Sequence, residues 1–366
     1  MHLERKEESN RNLWSIVQSI DQRPILTLGE RMKPRVLVTS YYDQGIISPE
    51  LERLLPMATL KRVSLGRRAT VQEMIKLLQG VTCVMMSDEN MTTEIIQSIN
   101  ELRMISCDGV GVDSIDLDAA TRQGVIVNNA PEVHEANGDF ALGLILALLR
   151  KIVFADRDLR VGRWNERQQF VGQGLRGRTL GLLGFGRSAR NLASKARVFG
   201  PEIIAYCRNP DSLVAQQLNV RLVEYQELIQ TSDILSVHVT LTEETRGMLG
   251  QRSLWMMKQG AYLVNTSRGA VLDEIALAEA LKEKHLAGAA LDVLVQEPPN
   301  LNNPLLEVEN VILTPHIASD SSEAFRAVFR SLVDDFLLLM GGWKPRHVVN
   351  PSVLSHANFA SLIRKV

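Results

Sequence analysis

Residues 178–199 read RTLGLLGFGRSARNLASKARVF. Positions 179–183 form a short apolar run, the pattern of a buried strand, and Gly184-Phe185-Gly186-Arg187-Ser188-Ala189 follows without a spacer. From there apolar residues recur at 189, 192, 193, 196 and 199, the spacing of one helix face. The expected unit is strand, glycine turn, helix. Gly184 can take the backbone angles of the turn, Gly186 has no side chain to hold off a pyrophosphate, and Ala189 lets the helix lie close on the strand. The helix start, with Arg187 and Ser188 in its first turn, offers unpaired N–H groups and a positive dipole end to phosphate oxygens. Alone, the glycine pattern fits any tight turn of an α/β protein; residues 203–206 read as the next strand, which sets it inside a βαβ unit of dinucleotide-binding size.

Outward from this unit, the chain of 366 residues is long enough for two domains. Hydrophobic residues at 45% and charged residues at 23% suit a globular protein with a full core. A formal net charge of -1 gives no basic footprint, so a nucleic-acid partner is not expected. The longest apolar run, 140–149, lies between Asp139 and Arg150-Lys151 and is too short to span a bilayer, so no membrane partner is expected. Cys83, Cys107 and Cys207 are an odd number and far apart, which points to a reducing compartment. Glu4, Glu7, Glu8, Asp21 and Glu30 argue against a transit peptide, and the order of a signal peptide is missing; a cytoplasmic location is the expectation.

Residues 1–33 are a polar extension with an amphipathic turn at Leu13, Ile16, Val17 and Ile20. Strands are expected at 35–40, 59–64, 83–86, 102–107 and 125–128, with helices at 48–55, 70–78 and 92–99, the first opened by Ser48 as cap and Pro49 as first helical residue. After Pro131 comes a long apolar helix, 135–149, then a polar connection over 160–177. Further strands are expected at 220–223, 234–239, 262–265, 288–293 and 311–314, with helices at 226–231 and 274–283. Asp320 and Glu323 have the spacing of a cap box, and apolar residues at 325, 328, 329, 332, 333 and 336 mark a long amphipathic helix. Such alternation predicts two doubly wound parallel-sheet α/β domains. The first is discontinuous, 34–131 and 318–351; the second, 132–317, is inserted into it; 352–366 are a tail.

Polar residues stand where strands end. Asp108-Gly109-Val110-Gly111 follows one strand, and its backbone N–H groups can converge on a small anion; a plain turn fits equally. Arg268, Glu297 and His316 follow three others. Strand carboxyl ends in such a sheet face the dinucleotide crevice, so the three can meet there. Hydride transfer to or from a hydroxy acid needs a proton carrier, a cation for the carboxylate or carbonyl, and a group that holds the carrier's tautomer and pKa. Imidazole, guanidinium and carboxylate suit these in turn. Singly, each also suits a surface ion pair, a turn or a cap. Asp292, Glu297 and His316 also fit a metal-ligand set, but no close His/Cys pairing supports a metal.

Leu291-Asp292-Val293 with Glu297-Pro298, Asn265-Thr266-Ser267-Arg268-Gly269, Thr314-Pro315-His316-Ile317-Ala318, Gly184-Phe185-Gly186 and Gly109-Val110-Gly111-Val112-Asp113 resemble the motifs of the D-isomer-specific 2-hydroxyacid dehydrogenases. The resemblance covers residues 35–351. It implies a Rossmann cofactor domain inserted into a flavodoxin-like substrate domain, with Arg268 orienting the substrate, His316 as acid/base and Glu297 as its partner. Asp292 would contact the nicotinamide amide, and Val110 and Gly111, with Met86 nearby, would hold the substrate. Thr240, Thr245, Thr266 and Ser267 would complete the cofactor contacts. Where the family carries an acidic residue for the ribose hydroxyls this chain has Cys207 and then Arg208, which favours NADP over NAD. Asp139 resembles the glyoxylate and hydroxypyruvate reductase branch. Members are usually homodimers joined through the cofactor domain, and by that resemblance the long helix after Pro131 would be part of the interface. A phosphoglycerate-type oxidation ranks lower, because the loops Tyr41-Tyr42-Asp43 and Met85-Met86-Ser87 carry no basic pair and no regulatory domain follows Pro351. A dinucleotide-sensing protein of the C-terminal-binding-protein corepressor type shares the same trio and is the rival from another class.

Overall fold

A computed structural model describes residues 33–39, 44–64, 69–87 and 89–360. The polar extension up to residue 32, Tyr41-Tyr42-Asp43 and the end of the tail, 361–366, lie outside the described residues. The chain divides into two compact units, one made of the residues up to Val133 and from Ser321 onward, the other of His134–Asp320.

Apolar runs bounded by polar caps build the first unit. In order these are β1 (Arg35–Val38), α1 (Gln44–Glu52), β2 (Thr59–Arg62), α2 (Val71–Leu78), β3 (Cys83–Met86), α3 (Thr93–Gln97), β4 (Met104–Cys107), α4 (Leu117–Gln123) and β5 (Ile126–Asn128). All strand pairs are parallel, in the order β2-β1-β3-β4-β5, the flavodoxin-like winding. Every residue of β3, β4 and β5 is buried, as a sheet covered on both faces requires, whereas edge strand β2 alternates. Thr70 and Glu73 cap α2 reciprocally, a device worth about 1 kcal/mol. One expectation fails here. Helix α1 begins at Gln44, so Pro49 lies inside it, and the Ser48 hydroxyl accepts from the Arg62 guanidinium at 2.9 Å instead of capping.

The second unit runs α5 (His134–Leu149), α6 (Ile152–Arg160), β6 (Thr179–Leu183), α7 (Arg187–Ala196), β7 (Glu202–Tyr206), α8 (Ser212–Leu218), β8 (Arg221–Leu222), α9 (Tyr225–Thr231), β9 (Ile234–Val237), α10 (Gln251–Met256), β10 (Ala261–Asn265), α11 (Glu274–Lys282), β11 (Leu286–Leu291) and β12 (Val311–Leu313). Its seven strands are parallel in the order β12-β11-β10-β9-β6-β7-β8, the Rossmann winding with one strand added. The winding reverses between β6 and β9, so the glycine turn after β6 stands at the switch point where ligands bind. Helices α5 and α7 approach closely: a Cβ on Gly138 would lie 2.4 Å from the Asn191 amide oxygen. Short helices α4, α6 and α8 escape a periodicity reading, although Asp116 and Asp211 cap two of them.

The chain then returns to the first unit as α12 (Ser322–Met340), whose Phe325, Val328, Phe329, Leu332, Val333 and Phe336 are buried against that unit's strands. Its cap is Ser321, whose hydroxyl accepts from Ala324 N, not Asp320. Asp335, fully buried on α12, accepts from Arg346 N, His347 N and the Asn128 side-chain amide. After it comes α13 (Ala357–Ala360). Among the described residues no helix is long and apolar enough to cross a membrane.

Candidate active site

The glycine turn has the geometry its composition requires. Gly184 has φ +97°, and a Cβ there would sit 2.7 Å from the His238 carbonyl oxygen, so β6 and the end of β9 approach only because the side chain is missing. Gly186 is the N-cap of α7, has no side-chain cap, and would place a Cβ within 4 Å of nothing. Bare N–H groups under open space fit the pyrophosphate of a dinucleotide. Arg187 is exposed beside them. Ser188 faces α5, its hydroxyl 3.0 Å from His134 Nδ1. Burial first, and the Arg187 charge second, push the His134 pKa down to about 4, so the ring under the turn is neutral.

At the far end of the site, burial raises the Cys207 thiol pKa, with the Arg190 charge acting against it. Arg190 lies over the Phe185 ring and reaches Asp211 at 3.4 Å. Arg208 pairs with Glu244 at 2.8 Å on the surface. Thr245 holds the loop after β9 together: its hydroxyl donates to the Thr240 carbonyl and accepts from Thr242 N.

The strand-end residues are fixed by buried polar anchors. Asn265, fully buried at the end of β10, accepts from the Ser267 N–H and hydroxyl and donates to the Arg268 carbonyl, which folds Thr266-Ser267-Arg268 into a tight turn. The Arg268 guanidinium also donates to the Ser267 carbonyl at 2.8 Å. Gly269 then passes so close to the 294–295 backbone that a Cβ would meet Leu294 C at 2.0 Å. Glu297 Oε1 accepts from Leu294 N and Oε2 lies 2.8 Å from His316 Nδ1. Asp292, only 1% exposed, accepts from the Thr314 hydroxyl, Ile317 N and Ala318 N, while its carbonyl accepts from His316 N. These bonds hold His316 at φ +58°, a conformation seldom adopted by a residue with a side chain.

Burial lowers the His316 pKa, but the hydrogen bond and charge of Glu297, with a smaller contribution from Asp292, outweigh it, and the net direction is up despite the Arg268 charge. The imidazole, carboxylate and guanidinium therefore belong to one electrostatic cluster within the second unit. In the first unit, Val110 and Gly111 lie partly exposed in the loop after β4, while Met86 is fully buried in the core, so its side chain lines no surface. Among the described residues no group of three or more His, Cys, Asp or Glu could hold a metal ion.

Residues 142–318 match the family model described as "D-isomer specific 2-hydroxyacid dehydrogenase, NAD binding domain". A glyoxylate reductase of Thermococcus litoralis is 36% identical over 88% of this chain and 99% of its own. The chain belongs to the D-isomer-specific 2-hydroxyacid dehydrogenase family. A D-3-phosphoglycerate dehydrogenase of Archaeoglobus fulgidus is 40% identical over 74% of this chain, which spans only 51% of that protein. Among solved structures, a glyoxylate reductase from Paecilomyes thermophila superposes with a TM-score of 0.78 at 27% identity, over 88% of this chain and 99% of its own. This dehydrogenase is thus an oxidoreductase that binds a nicotinamide cofactor and belongs among the enzymes of 2-hydroxy acids. His134, behind the glycine turn, lies in none of the motifs quoted above, and Asn265 enters there only as the first residue of its motif, without its role as an anchor. A polar residue closing an otherwise apolar strand was the available signal for Asn265.

Proposed function

We propose that this dehydrogenase is a reductase of small 2-oxo acids of the glyoxylate and hydroxypyruvate kind, with His316 as acid/base, Glu297 as its partner and Arg268 orienting the substrate. The 2.8 Å contact between His316 Nδ1 and Glu297 carries the proposal. With Nδ1–H donated to Glu297, the protonated ring is left to offer Nε2–H to the substrate's carbonyl oxygen, and it releases that proton as negative charge develops there. Arg268 supplies a permanently charged planar fork for the substrate's carboxylate or carbonyl. Asp292 keeps the 314–318 turn in the geometry that presents the ring. When bound, the reduced nicotinamide supplies the hydride. The glycine turn with Arg187 and Ser188, Thr240, Thr245, Thr266, Ser267 and Asp292 are the groups that would hold the cofactor, and the backbone at Val110 and Gly111 the substrate's carboxylate.

A small substrate is favoured over a phosphorylated one for two reasons. The relative matched over 99% of its length is named for glyoxylate, and Met85-Met86-Ser87 carries no cation for a phosphate. Mixing the purified chain with NADPH and a panel of glyoxylate, hydroxypyruvate, pyruvate and bulkier 2-oxo acids tests this. Absorbance loss with the first two is expected; none with any acid would overturn the reading and favour a dinucleotide sensor.

The preferred cofactor is NADP, because Cys207 and Arg208 follow β7 where a carboxylate would repel the 2'-phosphate. The Arg208–Glu244 pair has both side chains 72% exposed, and such pairs are worth little, so the guanidinium is readily redirected. Arg208→Ala is expected to weaken NADPH about tenfold and NADH hardly at all, whereas Glu244→Gln should tighten NADPH. Equal changes for both cofactors in fluorescence titrations would remove the phosphate contact.

A homodimer through the cofactor unit is supported by exposed apolar side chains on and after α6: Ile152, Val153, Leu159, Val161, Trp164 and Val171. Helix α5, by contrast, buries much of its apolar surface within its own unit. Sedimentation giving the mass of one chain, 40.8 kDa, would count against the dimer. Free thiols at all three cysteines suit a cytoplasmic location.

A further inference from the structure

In the loop after β4, three successive carbonyl oxygens are each held from behind by a separate donor. Ala130 N donates to Gly109 O at 3.0 Å, the Asn129 side-chain amide donates to Val110 O at 2.7 Å, and the Cys107 thiol, whose single proton also has the Ser87 carbonyl at 3.6 Å, donates to Gly111 O at 3.4 Å. A trans peptide is planar, and its C=O and N–H point in opposite directions. Holding these oxygens therefore turns the N–H groups of Val110, Gly111 and Val112 the other way. Among the described residues none of the three N–H groups has an acceptor. A Cβ built on Gly109 would meet nothing within 4 Å. Successive N–H groups facing open space form a seat for a small anion.

Asn129 is itself fixed. Its N–H donates to the His347 carbonyl at 3.3 Å. The neighbouring Asn128 side chain accepts from the Ser106 hydroxyl and donates to buried Asp335, which two N–H groups of the 346–347 segment also reach. The end of β5 is thus clamped between β4 and α12, and its next residue reaches forward to the loop.

We propose that Asn129 is a positioning residue for the substrate's carboxylate. By holding the Val110 carbonyl it fixes the 110–111 peptide plane, and so aims the Gly111 N–H, with its neighbours, at that carboxylate. Asn129 does not touch the substrate. The proposal rests on the reductase reading for the identity of the anion.

The test uses the full chain with glyoxylate as substrate and oxalate as an unreactive carboxylate probe. Asn129→Ala is expected to raise KM about tenfold with kcat changed far less, the pattern of lost uniform binding. Oxalate affinity should fall by the same factor and NADPH affinity should hold. Cys107→Ala, which frees the next carbonyl, should move oxalate affinity in the same direction by a smaller factor, and it decides the matter if Asn129→Ala does not fold. Unchanged KM and oxalate affinity, or parallel losses for oxalate and NADPH, would overturn the assignment, as would a wild-type chain that does not bind oxalate. A wild type that binds oxalate and loses it on Asn129→Ala, yet reduces no 2-oxo acid, would overturn the reductase reading while leaving the role of Asn129 standing.

Discussion

Replacing His316 with alanine is expected to lower kcat by about 10²- to 10⁴-fold, the span of a lost general acid, with NADPH affinity nearly unchanged. The ring is the group in the cluster whose charge changes near neutral pH, and its upward-shifted pKa widens the pH range over which it carries the proton that the proposed reduction would take. The pH profile follows from the sign. A raised pKa leaves the donor form in place below that pKa, and reduction fades as pH climbs through it. Glu297→Gln removes the main group that raises the pKa and leaves burial and the Arg268 charge, which lower it, opposed only by the smaller contribution of Asp292. The falling limb of the reduction profile should then move to lower pH. Equal losses of turnover and NADPH affinity in His316→Ala, or an unmoved limb in Glu297→Gln, would contradict the assignment.

Gly269→Ala is expected to lower kcat/KM about 100-fold, although the residue has no side chain and offers no chemistry, because a displacement near 1 Å in reacting groups costs on that order. Its added Cβ would meet backbone atoms, Leu294 C at 2.0 Å and Leu294 O at 2.2 Å, with no flexible side chain to move aside. The turn carrying Arg268 and the loop carrying Glu297 must therefore part. Overpacking of this kind costs roughly 1–3 kcal/mol, so the thermal midpoint should fall as well. Wild-type kcat/KM in Gly269→Ala would show that the two loops need not touch.

How much of this was legible in the residues varies by element. The glycine turn and the strands on either side of it follow from apolar run length and glycine placement, both local properties. The long helix α12 was legible from its spacing, but its cap was not: Asp320 and Ser321 both suit a cap, and the one whose oxygen reaches Ala324 N depends on how the chain enters the helix. Pro49 shows the same limit, since Ser48 abandons the capping position for an arginine brought alongside by β2.

By itself the sequence determined two parallel α/β sheets, the dinucleotide turn and three polar residues at strand ends. Run length, period and turn chemistry are properties of neighbours along the chain. Only the tertiary structure decided that Asp292 is buried as the anchor of the 314–318 turn, that the Ser188 hydroxyl faces His134, and that Asn129 reaches the Val110 carbonyl, whereas the resemblance already implied the pairing of Glu297 with His316, which stands at 2.8 Å. Each of those contacts joins residues far apart in the chain, and strand order and packing, not local propensity, bring such side chains within hydrogen-bonding distance.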